Sequence, residues 1–64
     1  MQKLNIAYQC FDKDVHRSYD DKLILQLNDD ETDKIRKDIV ENGIESLQKY
    51  TKQPIIKIHF MTVE

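Results

Sequence analysis

Cys10, Asp12, Asp14 and His16 stand at alternate positions of the chain. On an extended strand alternate side chains point the same way. A thiolate, two carboxylates and an imidazole would then share one side, and His59 offers a further nitrogen for a metal. Zinc sites, however, pair Cys or His ligands at short characteristic intervals, and no such pair is present. Asp12-Lys13-Asp14 also lacks the turn glycine and the closing glutamate of a calcium loop. Asp12, Asp14 and His16 read as a solvated loop, and neither a metal nor an organic cofactor is expected.

A cysteine nucleophile needs a base within hydrogen-bond reach, so Cys10 would have to meet His16 or His59 in a cleft. Cys10 falls instead on the core side of its strand, where free cysteine behaves as a small hydrophobe. The chain has 64 residues and little room to enclose a substrate. The expectation is a protein that is not an enzyme.

Two binding chemistries remain. Tyr8, Phe11, Tyr19 and Phe60, with Lys3, Lys13, Arg17, Lys22 and Lys57, resemble in type the aromatic and basic groups on which single-stranded nucleic acid stacks. Strand alternation assigns Tyr8 and Phe60 to the covered side, which leaves few aromatics for such a platform. The acids Asp20, Asp21, Asp29, Asp30, Glu31 and Asp33 could imitate a phosphate backbone. Those from Asp29 onward are equally explained as complements to a helix dipole.

The elements that position these residues follow from periodicity. Leu4 to Phe11 alternates, with Leu4, Ile6, Tyr8 and Cys10 on one side and Asn5, Ala7, Gln9 and Phe11 on the other, a half-buried strand. Asp12 to Ser18 reads as a hairpin loop without the Asn-Gly or Asp-Gly pair of a tight turn, into which the strands could continue as a twisted ribbon. A second strand runs from about Tyr19 to Leu27, with Leu23, Leu25 and Leu27 on one side and Lys22, Ile24 and Gln26 on the other.

Asn28 is a helix cap, and Glu31 stands where a capping-box acid reaches back. The stripe Ile35, Ile39, Val40, Ile44, Leu47 and Tyr50 predicts a helix of about 22 residues, about 33 Å long, ended before Pro54. Asp30–Lys34, Asp33–Lys37 and Glu45–Lys49 have ion-pair spacing. Asn42-Gly43 could end one helix and begin a second, but Ile39, Gly43 and Leu47 keep an i,i+4 rhythm, so one helix is expected. Glycine there would let the helix approach the sheet closely. Ile55 to Val63 is the last strand, with Ile56, Ile58 and Phe60 assigned to the covered side.

The expected fold is thus a single α+β domain of order ββαβ, one long helix on a three-stranded, mostly antiparallel sheet with the first strand central. Its core pairs Ile35, Ile39, Ile44 and Leu47 with Leu4, Ile6, Tyr8, Leu23, Leu25, Leu27, Ile56, Ile58 and Phe60. A core of this size rarely contributes more than roughly 3–5 kcal/mol net, and one cysteine allows no internal disulfide.

Composition narrows the function. The formal charge is −2, with 34% charged residues. Nucleic-acid binders usually carry a basic excess, so that class ranks second. A lone cysteine points to a reducing compartment. Neither a signal-like apolar stretch nor a membrane-length segment is present, and a cytoplasmic setting is expected. The uncovered face would present Phe11, Ile24, Ile55, Met61 and Val63 among Lys57 and His59, more apolar surface than a solvated face needs. These seven residues are the expected interaction site of a small regulator, inhibitor or adaptor that binds protein and self-associates as a homodimer.

Overall fold

Alternating apolar residues draw Gln2–Asp12 into strand β1, and Arg17–Leu27 forms β2 against it. Helix α1 spans Asp29–Asn42, a short helix α2 spans Ile44–Leu47, and β3 spans Ile55–Val63. This computed structural model describes all residues from Met1 to Glu64. The sheet order is β2-β1-β3, and β1 is antiparallel to both neighbours. The fold is α+β with element order ββαβ, as the periodicities predict.

Both hairpin strands extend further into the loop than the alternation alone shows. The turn is confined to Lys13–His16. Asp12 Oδ1 accepts the Asp14 N–H at 2.9 Å, and His16 adopts φ 53°, a left-handed conformation in which histidine is enriched. A side-chain turn and one left-handed residue thus replace the missing Asn-Gly pair.

Asn28 caps α1: its side-chain oxygen accepts the Glu31 N–H at 2.8 Å. The Thr32 hydroxyl donates to the Asn28 carbonyl at 2.8 Å and is fully buried. The expectation of one continuous helix is corrected at Gly43, which has φ 62° and ψ −135°. Side chains strongly disfavour that region, and a Cβ at Gly43 would meet nothing within 4 Å. The glycine therefore serves a backbone break, not a close approach to the sheet. Across the break, the Asp38 carboxylate accepts the Asn42 amide at 2.6 Å and the Ser46 hydroxyl, and meets Lys49 Nζ at 3.6 Å. This cluster ties α2 back onto α1, and the three expected i,i+4 ion pairs do not form.

The buried core is Leu4, Ile6, Tyr8, Cys10, Ile39, Leu47 and Ile55. Helix α1 packs on β1 and α2 on β3. Leu23, Leu25, Leu27, Ile35, Ile44, Ile58 and Met61 pack around this centre and are half-buried. Val40, expected in the stripe, is exposed.

The largest correction concerns β3. Its register against β1 shifts twice, between Ala7 and Tyr8 and between Gln9 and Cys10. Phe60 faces Ala7 while Ile58 faces Tyr8, so His59 is an extra residue. Lys57 faces Gln9 while Ile55 faces Cys10, so Ile56 is another. At such bulges two residues oppose one and the alternation slips. β3 consequently packs Ile55, Ile58 and Met61 on the core, three apart rather than two. Ile56 and Phe60, expected inside, are 50% and 60% exposed. Ile55 and Met61, expected on the open face, belong to the covered one. Val63 faces Leu4 and shares its side, at the margin of the helix layer.

Candidate protein interface on the open sheet face

The sheet face away from the helices is built from cross-strand rows. Directly paired residues share a face, so Ile24, Asn5 and Thr62 form one row and Lys22, Ala7 and Phe60 the next. Asp20, Gln9 and Lys57 follow, then Ser18 and Phe11. The two bulges add His59 beside Phe60 and Ile56 beside Lys57. At the hairpin end, an open hollow lined by Phe11, Tyr19, Pro54 and Ile56 together with Asp12, Lys13 and Asp14 wraps around the end of the sheet.

Of the seven sequence-expected residues, Phe11, Ile24, Lys57 and His59 lie on this face, whereas Ile55, Met61 and Val63 do not. Phe60 and Ile56 take their place. The run from Ile55 to Val63 has apolar residues at both odd and even positions, so its pattern fits either phase. Only pairing with β1 selects one.

The electrostatics of the face differ from those of the whole chain. Lys3, Lys22 and Lys57 lie on it with two acids, Glu64 as the cross-strand partner of Lys3 and Asp20, which accepts a hydrogen bond from the His59 ring, Nε2 to Oδ1 at 2.9 Å. That contact reaches from β3 over β1 to β2 and crosses the middle of the face. Most of the remaining acids are on the helices: Asp29, Asp30, Glu31, Asp33, Asp38, Glu41 and Glu45. In the midst of the rows, Asn5 Nδ2 is buried without a hydrogen-bond partner.

Other chemistry-bearing residues are dispersed. Cys10 is buried in the core, and burial pushes its thiol above the ordinary value. Its cross-strand neighbour is Tyr19, whose hydroxyl is likewise raised, first by desolvation and then by the Cys10 contact. Asp14 and His16 are exposed in the turn. No group of three or more His, Cys, Asp or Glu side chains gathers to hold a metal ion. The core contributes one polar chain. The Tyr8 hydroxyl donates to the Gln53 side-chain oxygen, and Gln53 Nε2 donates to Asp21 Oδ2 at 2.6 Å. Asp21 Oδ1 accepts the Lys22 N–H at 2.8 Å, and these two bonds, the Gln53 one first, hold the Asp21 carboxyl below its usual range.

Comparison with protein-family models, curated proteins and solved structures finds no match for the chain. No helix is long and apolar enough to cross a membrane.

Proposed function

We propose that the chain is a small protein-interaction module, a regulator, inhibitor or adaptor, that binds a protein partner through the open sheet face. The observation that carries this reading is Phe60, 60% exposed on the open face beside a bulge, with Ile24, Ile56 and Phe11 also exposed on that side. Large aromatics flanked by polar groups are the residues on which protein interfaces concentrate their binding energy. Lys3, Lys22 and Lys57 supply a basic rim that suits an acidic partner surface. A reducing, cytoplasmic setting agrees with the single buried thiol.

The test is a photo-crosslinking amino acid at position 60 and, as a control, at Val40 on the outer helix surface, both introduced in the native host. A discrete protein adduct from position 60 and none from position 40 is the expected result. Equal labelling from both positions would remove the open face from consideration.

A second reading has its own observation. Phe60 and Phe11 on one face with Lys3, Lys22 and Lys57 form a stacking surface with nearby cations, a combination that binds single strands. Nuclease-sensitive adducts from position 60, together with oligonucleotide affinity that falls steeply with salt, would replace the protein partner with a nucleic acid.

A further inference from the structure

Strand β2 is an edge of the sheet, paired with β1 on one side only. Lys3 exchanges both backbone hydrogen bonds with Glu64, at 2.9 Å each, and the Phe11 N–H donates to the Pro54 carbonyl at 3.0 Å. Odd-numbered residues of β1 therefore address β3, and even-numbered ones address β2. Lys3 faces Gln26 and the β1–β2 register runs unbroken. By the alternation of an antiparallel ladder, Ser18, Asp20, Lys22, Ile24 and Gln26 turn their N–H and C=O groups outward, away from β1. The Lys22 N–H confirms the direction, since it is held by Asp21 Oδ1 and not by β1. The opposite edge, β3, is interrupted by its two bulges, a usual protection against strand addition.

We propose that two copies of the chain pair β2 on β2, antiparallel, about a two-fold axis through Ile24, joining their sheets into one. Side-chain complementarity selects this register. An axis through Asp21 would oppose the two Asp21 carboxylates, and an axis through Lys22 the two ammonium groups. An axis through Leu23 would set Asp21 against Leu25 in the apolar row. With the axis at Ile24, Leu23 of each copy meets Leu25 of the other on the helix side. Those leucines are only half-buried in the single chain, so the pairing extends the core from one copy into the next. On the open side Ile24 meets Ile24, and Lys22 meets Gln26.

The backbone follows. The Ile24 N–H donates to the Ile24 carbonyl of the second copy, and the Gln26 N–H to the Lys22 carbonyl. The Lys22 N–H exchanges Asp21 for the Gln26 carbonyl. Asp21, opposite Leu27 at the end of the paired row, keeps its bond to Gln53. Beyond Asn28 the second copy turns into its helix, whose first turn carries Asp29, Asp30 and Glu31. Arg17, on the helix side of β2 and without an ion-pair partner of its own, extends alongside that acidic turn. The dimer does not rest on the open-face reading, and it places two open faces side by side on one sheet.

Sedimentation velocity from micromolar to about 1 mM should show a monomer passing to a dimer. Amide hydrogen exchange, followed residue by residue, supplies the register. In the dimer the Ile24 and Gln26 amides should be protected, and on dilution they should lose protection while Leu23 and Leu25 keep theirs. Ile24→Pro removes an outward N–H that β1 does not use, a change that edge strands tolerate, and should weaken association on the order of tenfold or more while leaving the far-ultraviolet circular dichroism intact. Phe60→Asp should leave association unchanged, which separates this result from any failure of partner binding at the open face. A chain that stays monomeric at about 1 mM overturns the proposal. A dimer in which the Ile24 and Gln26 amides exchange freely overturns it as well.

Discussion

Ile55 faces Cys10 across the β1–β3 ladder and is 7% exposed, whereas its neighbour Ile56 is 50% exposed. Two isoleucines side by side thus have opposite fates, as strand neighbours do, and the pairing with Cys10 makes Ile55 the inner one. Ile55→Ala should cost about 2–5 kcal/mol, the range for a buried aliphatic cut to alanine. Ile56→Ala should stay within about 0.5 kcal/mol. Urea denaturation of both variants measures the difference, and a larger loss at Ile56 would overturn the pairing of Ile55 with Cys10.

The phase slip of β3 decides that Met61, not Phe60, faces the core. Met61 faces Ile6 and packs on the core, so Met61→Asp should bury a carboxylate without a partner and unfold much of the population. Phe60→Asp should leave a folded chain, because its side chain projects to solvent. Near-ultraviolet circular dichroism and thermal melts of the two variants report this directly. A stable Met61→Asp variant would restore the unbroken alternation.

Gly43 offers a test of backbone conformation alone. An L-alanine there has ample space but must adopt φ 62°, and Gly43→Ala should cost about 1–3 kcal/mol. D-alanine at the same position, introduced by chemical synthesis, mirrors that conformation into an ordinary extended one and should be neutral or stabilising. Equal effects of the two enantiomers would show that α1 and α2 can merge into a single helix.

Local capping and the helix core are separable by size of effect. Asn28→Ala should cost about 1 kcal/mol through the lost cap bond. Leu47→Ala should cost about 2–5 kcal/mol, since Leu47 is fully buried. Chemical denaturation reads both, and a negligible loss at Leu47 would mean that α2 does not dock on the sheet.

Acid should loosen the helix pair. The Ser46 hydroxyl first, then the Asn42 amide and Lys49, hold the Asp38 carboxyl below the usual carboxylate range. Its folded value is below its unfolded value of about 3.9, so the folded chain binds fewer protons in acid. The associated stability is complete above the unfolded value and disappears as pH falls through the folded one. Asp21 acts in the same sense. Melting temperature should hold steady above about pH 5 and fall below about pH 4. Asp38→Asn should begin less stable at neutral pH and lose less on acidification. An unchanged acid slope in that variant would remove Asp38 from the balance.

Where information is local, the chain states its own structure. The alternation of Leu4, Ile6, Tyr8 and Cys10 forms and orients β1, because each side chain follows from its neighbour two residues away. Asn28, followed by acids and then by Ile35 and Ile39, starts and faces α1 through bonds and contacts within a turn or two. Phe11 and Ile24, on strands whose alternation is unbroken, are legible as open-face residues for the same reason. Tertiary pairing decided the rest. Ile55 to Val63 is apolar on both phases, and only its ladder with β1 inserts Ile56 and His59 as extra residues. That ladder turns Phe60 outward and brings Ile55 and Met61 in. The glycine at position 43 permits a break without requiring one. What draws the chain apart there is the docking of α1 on β1 and α2 on β3, contacts between segments distant in sequence, which no local period encodes.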